Sequence, residues 1–460
     1  MGIASSLFFS SEAGRATLHR RVRPTDEQVT AQQQRWNDLA EHLIADLKTK
    51  TGVAIKSWLQ GSYKFGTQVR PARISEEFDV DLGLYFKWDG KPGDGSLSNS
   101  DLRALTQQSL LDYAKAAEDV IEVTAPPKAR CCRIRFEDNF HVDVPVYHLD
   151  EDRDARTLAT QDGWETSDPK ALYKWFRDLF DDYMRDKARR HIRYAKCWAS
   201  LKFESVSSRP SSVLLTVLVA EALRDLGPAD YESDDDGFRN VMTAVSRRLA
   251  DSTVVNNPAD LDEDLGARLS AQDFANFRER LEDLVAVADA ACAAETQLDA
   301  ASKWTEIFEH FFPMPEVQEA SKAAALVSMR IAPPDIRVFV RSRTNTSATW
   351  QGTNEIGPIP KDCDIDFEVL APWNLPAGAV IEWVVRNQDS EAEDVNDLGH
   401  LAGRGLKVQE HSAYNGTHHM DCLIKVAGHV VAYRRIAVTI SGPFMNRAAR
   451  RRLLARRRAA

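Results

Sequence analysis

The spacing of apolar residues divides the chain into segments of different periodicity. After Pro24, residues 25–28 have the form of a capping box, and apolar positions then recur near the helical period to about Lys50. Short runs rich in β-branched and aromatic residues follow, at 53–59, 77–86, 132–136 and 141–146. The pattern predicts a long helix that leads into an α/β segment.

The periodicity changes twice further along the chain. Helical spacing runs from Pro169 to about Ala325, with a helical stretch that ends near Arg330, and short alternating strands follow Pro333. We therefore predict an α+β protein with three domains and a tail. The predicted parts are a core with its long helix at 1–168, a helical domain at 169–330, a β-rich domain at 335–444 and a basic tail at 445–460.

Composition narrows the class of protein. Of the 460 residues, 43% are hydrophobic and 28% are charged, which is typical of a folded globular protein rather than a disordered one. No apolar run approaches the ~18 residues that a membrane span needs, and the first residues lack the order of a secretory signal. Six cysteines occur without a CxxC pair, which favours reduced thiols. We expect a cytoplasmic protein without a membrane partner.

Three aspartates are the candidate catalytic residues. Side chains alternate along a strand, so Asp79 and Asp81 are expected to share one face, and Asp143 is expected to project likewise from a later strand. Clustered carboxylates repel one another unless a cation neutralises them. Three acids on two strands could hold two metal ions, although an isolated Asp-x-Asp is more often a solvated strand face.

A small-residue turn just upstream strengthens the metal interpretation. Gly61 and Ser62 open the sequence Gly-Ser-Tyr-Lys-Phe-Gly-Thr at 61–67 and are predicted to begin a helix. Exposed backbone N–H groups at such a turn attract a triphosphate, and glycine permits its close approach. A Gly-Ser turn, an Asp-x-Asp strand and a third aspartate together predict a nucleotide site with metal ions.

These motifs resemble those of the DNA polymerase-β-like nucleotidyltransferases, and more closely those of the bacterial cGAS/DncV-like members (CD-NTases). The likeness covers about residues 25–330 and includes the sequences at 163–170, 193–198 and 210–212. It implies a mixed-sheet nucleotidyltransferase core with a helical domain packed against it. It also implies that Lys196 and Ser212, with Ser211 as a one-residue alternative, grip the donor triphosphate.

The β-rich segment 335–444 is similar to the C-terminal sensor domain of the adenylyl/guanylyl-cyclase and SMODS-associated type. The similarity is clearest at residues 350–354 and 428–431. That resemblance implies a module that binds a ligand or regulates the enzyme. The alternative is a packed domain without a ligand of its own.

The resemblance also implies an activity. ATP or GTP would be condensed into a cyclic di- or trinucleotide second messenger with release of pyrophosphate, in bacterial anti-phage (CBASS) signalling. Two Mg²⁺ ions, or Mn²⁺, would be held by Asp79, Asp81 and Asp143, and Asp143 would help to deprotonate the acceptor ribose. An operon-encoded regulator or effector is a further partner that the family suggests.

Two other functions share these motifs. A terminal transferase that extends RNA or labels a protein would use the same metal site. A non-catalytic nucleotide-binding sensor is disfavoured because all three carboxylates are present. The seven arginines within 447–458 could bind nucleic acid or simply be solvated.

Two weaker clusters are expected to lie at the surface. The acidic run at 232–236 is typical of a solvated loop. His418, His419, Asp421 and Cys422 offer metal-compatible atoms, but no second cluster completes a tetrahedral site. We therefore interpret them as part of a surface strand.

Overall fold

A computed structural model describes residues 2–73, 76–137, 139–315, 331–345 and 347–442. Its helices are α1 Ser5–Phe8, α2 Leu18–Val22, α3 Asp26–Thr51, α4 Gly61–Phe65, α5 Asn99–Ala116, α6 Pro169–Leu179, α7 Asp182–Lys202, α8 Ser212–Asp225, α9 Asp234–Asp251, α10 Ala271–Cys292, α11 Gln297–Phe308 and α12 Ser390–Asp394. Its strands are β1 Ala54–Gln60, β2 Phe78–Lys87, β3 Val120–Val123, β4 Cys132–Phe136, β5 Phe140–Val144, β6 Val146–Asp150, β7 Ala155–Thr160, β8 Gly163–Thr166, β9 Asn256–Asn257, β10 Asp260–Asp264, β11 Ile336–Ser342, β12 Thr349–Thr353, β13 Glu355–Ile359, β14 Cys363–Val369, β15 Val380–Arg386, β16 Gly399–Arg404, β17 Lys407–His411, β18 Gly416–Val426 and β19 His429–Ile440. The end of the predicted helical stretch, at 316–330, and the basic tail lie outside the described residues.

The long first helix is confirmed together with its start signal. Thr25 accepts a hydrogen bond from the backbone of Gln28, and the Gln28 side chain accepts one from the backbone of Thr25. This reciprocal capping box satisfies two N–H groups that the first turn leaves free. The helix α3 that follows buries Leu39, Leu43 and Leu47 against the first sheet.

The first sheet is mixed, and β2 lies at its centre. Strand β2 pairs in parallel with β5 through Phe78–Asp81 and with β6 through Leu84–Lys87, and it pairs antiparallel with β1. The full strand order is β3-β4-β5-β2-β6-β7-β8, with β1 also on β2. A ten-residue strand with so many partners gives its side chains a rigid frame.

Helices α6–α11 share one large apolar cluster, and the N-terminal residues pack within it. Phe8 makes edge-to-face contacts with Tyr194 and Trp304 at centroid distances of 5.3 and 4.8 Å. The chain start therefore packs against the helices, whereas the next helix, α3, packs against the sheet. The domain boundaries stay a prediction.

The expectation that residues 232–236 form a solvated loop is wrong. Asp234 and Asp235 are buried at the start of α9. Arg190 holds both oxygens of Asp234, at 2.7 and 2.8 Å, and Asp235 accepts a hydrogen bond from the backbone N–H of Ala4 at 2.9 Å. Partners from distant parts of the chain compensate the burial of these charges.

The C-terminal part is β-rich, as predicted. A four-stranded sheet (β12-β11-β14-β17) and a five-stranded sheet (β13-β19-β18-β15-β16) contribute side chains to one apolar cluster. The α+β class with a β-rich C-terminal part is confirmed. Among the described helices, none has both the length and the apolar character needed to cross a bilayer.

The interpretation of residues 418–422 as a surface strand is wrong. They lie in β18, a central strand of the five-stranded sheet, with His418, Asp421 and Cys422 buried. Asp421 pairs with Arg386 at 2.5 Å and with Arg435 at 2.8 Å. These two cations outweigh the effect of burial and hold the pKa of Asp421 well below its usual range.

Candidate active site

Strand β2 carries two carboxylates on one face. Phe78, Val80 and Leu82 are buried in the core, so the alternating side chains of Asp79 and Asp81 project from the other face. The Asp79 side chain is 48% exposed. The predicted alternation along this strand is confirmed.

Strand β5 brings the third acid beside this pair. Its register aligns Asp79 with His141 and Asp81 with Asp143, and buried valines alternate with His141 and Asp143 along the strand. One potential ligand atom from each of Asp79, His141 and Asp143 lies within 4.8 Å of the other two. This group could hold a metal ion. It contains His141, whereas the sequence interpretation had placed Asp81 with Asp79 and Asp143.

Two cations neutralise Asp143. Arg133 on β4 contacts both of its carboxylate oxygens, with Nη2 at 2.7 Å from Oδ2, and Lys128 Nζ lies 3.4 Å from Oδ2. Although burial favours the neutral acid, the hydrogen bonds and charge of Arg133 lower the pKa of Asp143. Asp143 is therefore ionised at neutral pH.

Asp81 lies against the Gly-Ser turn. Gly61 has φ +57°, and a Cβ atom built on it would lie 1.9 Å from Asp81 Oδ2, so this position requires glycine for both conformation and space. Burial, followed by the negative charges of Asp79 and Asp143, raises the pKa of Asp81 well above its usual range. A cation bound nearby would remove this penalty.

Helix α7 holds the loop that follows the Gly-Ser turn. Arg189 Nε donates to the carbonyl of Phe65 at 2.9 Å, and Arg193 Nη2 donates to the carbonyl of Gly66 at 2.6 Å. The two arginines are four residues apart and so share one helix face. They satisfy carbonyl groups at the end of the short helix α4.

Lys196 follows on the same face of α7. Its Nζ donates to Thr67 Oγ1 at 2.9 Å, and its side chain is buried. Burial, followed by the charge of Arg193, lowers the pKa of Lys196 to about 7. A buried lysine without a carboxylate partner among its described hydrogen bonds is suited to receive an anion.

The two candidate serines differ in what their hydroxyl groups do. Ser211 is the N-cap of α8, and its Oγ accepts a hydrogen bond from the backbone N–H of Leu214 at 3.2 Å. Ser212 is the first residue of the helix and is exposed. The Ser212 hydroxyl and the N-terminus of a 14-residue helix are thus presented to an incoming anion.

A cleft of about 820 Å³ unites these groups. Its lining includes Ser62, Asp79, Lys196, Ser211 and Ser212. Gly61 directly precedes Ser62 in the chain, and Asp81 lies against Gly61. The residues that the sequence marked as metal- and nucleotide-binding therefore meet in one part of the fold.

The sequence interpretation missed His141. Its Nε2 lies 2.9 Å from Asp79 Oδ1, and its Nδ1 lies 3.1 Å from Glu77 Oε2. Although burial opposes it, pairing with the two carboxylates raises the pKa of His141. A signal was available, because His141 precedes Asp143 by two residues and so shares its strand face.

Comparison with known proteins decides the family. The model for the nucleotidyltransferase domain of DncV-like cyclic GMP-AMP synthases matches residues 55–147, and the Adenylyl/Guanylyl and SMODS C-terminal sensor domain matches 309–441. A cyclic GMP-AMP synthase of Escherichia albertii is 25% identical over 442 residues, which cover 95% of this chain and 96% of the relative. The chain is a bacterial cGAS/DncV-like nucleotidyltransferase.

Solved structures agree with this nucleotidyltransferase in fold. Vibrio cholerae DncV with nonhydrolyzable GTP has a TM-score of 0.55 at 20% identity, over 65% of this chain and 94% of DncV. DncV with the linear intermediate pppA(3′,5′)pG has a TM-score of 0.56 at 18% identity, over 69% of this chain and 99% of DncV. The predicted α+β nucleotidyltransferase fold is thereby confirmed.

Two arginines join the β-rich part of this nucleotidyltransferase to residues that precede it in the chain. Arg386 on β15 donates to the carbonyl oxygens of His310 and Phe312, at 2.9 and 2.5 Å. Arg21 on α2 donates to the carbonyl oxygens of His310 and Leu398, at 3.0 and 3.2 Å. The predicted sensor-type domain is confirmed, and Arg21 joins it to the N-terminal part of the chain.

Proposed function

We propose that this enzyme condenses ATP, GTP or both into a cyclic di- or trinucleotide and releases pyrophosphate. The observation that carries the proposal is that Asp79, Lys196 and Ser212 line one and the same cleft. Relatives support the product class: the Escherichia albertii protein is a cyclic GMP-AMP synthase and one from Roseivirga ehrenbergii is a c-di-GMP synthase. The latter is 26% identical over 37% of this chain and 49% of its own length.

The carboxylates fit hard divalent cations. Oxygen ligands suit Mg²⁺ and Mn²⁺, and the raised pKa of Asp81 shows that its charge is costly without a cation. We propose that Asp79, Asp81 and Asp143 hold two Mg²⁺ ions, or Mn²⁺ in their place. When bound, these ions would neutralise charge on the triphosphate and on the departing pyrophosphate.

The residues of the chain bind and orient two nucleotides. The donor triphosphate lies on the Gly61–Ser62 turn, on Lys196 and on Ser212 at the N-terminus of α8. The ionised carboxylate of Asp143 faces the acceptor ribose and helps to remove the proton from its hydroxyl. The hydroxyl oxygen attacks the α-phosphate, the bond to the β-phosphate oxygen breaks, and pyrophosphate leaves. A second such transfer within the cleft closes the ring.

The test is incubation of the pure protein with Mg²⁺ and α-³²P-labelled NTPs alone, followed by phosphatase treatment and mass spectrometry. We expect phosphatase-resistant small products containing adenosine or guanosine. The variant Asp79→Asn/Asp81→Asn should fold and yield none. Labelling that requires added RNA or protein would contradict the proposal and favour a terminal transferase, and nucleotide binding without any product would favour a sensor.

We further propose that the product acts in anti-phage signalling, with the C-terminal domain as the regulatory module and an operon-encoded protein as regulator or effector. Bacteria that carry the intact gene cluster should resist phage. Bacteria whose cluster encodes the Asp79→Asn/Asp81→Asn variant should not. Equal phage titres on both strains would remove this biological assignment and leave the chemistry untouched.

A further inference from the structure

We propose that His141 is a positioning residue that holds Asp79 in its metal-binding orientation, and that Glu77 and Arg135 hold His141. The inference rests on the proposed function for the role of Asp79. It adds an outer layer of residues that the three-aspartate motif does not contain.

The first observation is the placement of His141 between two carboxylates. His141 lies directly opposite Asp79 in the parallel register of β5 and β2. Its Nε2 is 2.9 Å from Asp79 Oδ1, and its Nδ1 is 3.1 Å from Glu77 Oε2. The His141 and Glu77 side chains are each only 9% exposed, so neither can swing freely into water.

The second observation is that Glu77 is itself held from the far side. Arg135 Nε lies 3.1 Å from both oxygens of Glu77, and its Nη2 contacts Oε1. Glu122 on the neighbouring strand accepts from Arg135 Nη1 at 3.0 Å. The side chains form a contiguous row, Glu122–Arg135–Glu77–His141–Asp79, that ends at the proposed metal site.

His141 could itself offer an atom to a metal ion. Its Nε2 and its Nδ1 each lie within contact distance of a carboxylate oxygen, of Asp79 and of Glu77, and the proposal therefore assigns His141 to positioning Asp79. The Asp79 side chain is half exposed, so the contact with His141 restricts how its carboxylate can rotate about the side-chain bonds. Partners that orient a metal ligand in this way typically contribute about 10–100-fold to metal affinity or activity.

The sheet offers a matched control. His148 on β6 is buried beside the other half of β2, opposite Phe86, and its Nε2 lies 3.0 Å from the carbonyl oxygen of Trp88. It has no role in the proposed site. The variant His148→Gln therefore reports the effect of altering a buried histidine in the same sheet.

The experiment measures Mn²⁺ binding directly by electron paramagnetic resonance, beside cyclic product formation over a range of Mg²⁺ concentrations. His141→Ala should weaken Mn²⁺ binding about 10–100-fold, and its kcat should recover partly at high Mg²⁺. His141→Gln, whose amide can still donate to Asp79, should restore part of the affinity. Glu77→Gln should show an intermediate loss, and His148→Gln should match the wild type.

Two outcomes would overturn the inference. One is wild-type Mn²⁺ affinity in His141→Ala, or in His141→Gln and Glu77→Gln if the alanine variant does not fold. The other is a ¹⁴N coupling from a directly bound imidazole in the Mn²⁺ spectrum, which would make His141 a ligand. If the wild type makes no cyclic product yet its Mn²⁺ binding depends on His141, the proposed reaction fails and the positioning role stands.

Discussion

Lys196 Nζ and Thr67 Oγ1 are joined by a hydrogen bond of 2.9 Å that links helix α7 to the loop after the Gly-Ser turn. The negative charge of Asp81 raises the pKa of Lys196. Burial is nevertheless the larger influence, and the pKa of Lys196 falls to about 7. The residue is ready to gain a proton when a triphosphate arrives.

This pKa predicts a pH-dependent KM. Below pH 7 Lys196 is charged in the free enzyme, whereas above pH 7 donor binding must take up a proton, so the KM for ATP should rise by up to about tenfold per pH unit. Lys196→Met should have a higher KM that is nearly constant between pH 7 and 9. Initial rates over that range check the prediction, and a wild-type KM independent of pH would contradict it.

The same residue predicts a trend in stability. The pKa of Lys196 is about 7 when folded and 10.5 ordinarily, so between these values the unfolded chain binds more protons and the free energy of unfolding should increase with pH. In Lys196→Met the free energy of unfolding should lack this increase with pH. Denaturant unfolding of both proteins between pH 7 and 9 measures the difference in slope.

Gly61→Ala should abolish activity for a steric reason. The new Cβ would meet Asp81 Oδ2 at 1.9 Å, in addition to the cost of about 1–2 kcal/mol for a non-glycine residue at φ +57°. Gly52→Ala is the control, since Gly52 has φ +70° and nothing within 4 Å of an added Cβ. The melting temperature should be lower than that of the wild type in both variants, but product formation should fall in Gly61→Ala alone. Equal activity in both would show that the contact with Asp81 is unimportant.

Asp81→Asn should separate stability from catalysis. The folded-state pKa of Asp81 is raised, so the folded protein binds more protons than the unfolded chain between the two pKa values, and stability falls as pH rises through that window. Asparagine removes this penalty, and the variant should melt at an equal or higher temperature at pH 7. Its product formation should drop by about 100-fold or more. A variant that melts normally and stays active would make Asp81 a solvated strand residue.

Ser211 and Ser212 should differ in the kind of loss they cause. Ser211→Ala removes the N-cap of α8 and should cost about 1 kcal/mol of stability. Ser212→Ala should leave stability within about 0.5 kcal/mol. It should raise the KM for ATP by about tenfold, because a hydrogen bond to a charged phosphate is lost. If Ser211→Ala raised the KM and Ser212→Ala did not, the phosphate contact would belong to Ser211 instead of Ser212.

Local sequence determined the elements that carry the site. The Thr25–Gln28 capping box set the start of α3, and the alternation of Phe78, Asp79, Val80 and Asp81 set which side chains leave the core. These features depend on residues within one turn or one strand of each other. A sequence can therefore specify them before any tertiary contact forms.

Tertiary structure decided the partners of the charged groups. The pairing of Asp79 with His141 requires the register of two strands 62 residues apart, counted from 79 to 141. Likewise, Asp234 and Asp421 look like surface residues in their own segments, yet Arg190 and Arg386 make their burial tolerable. A buried charge is stable only with a partner, and the chain brings that partner from a distant segment only when it folds.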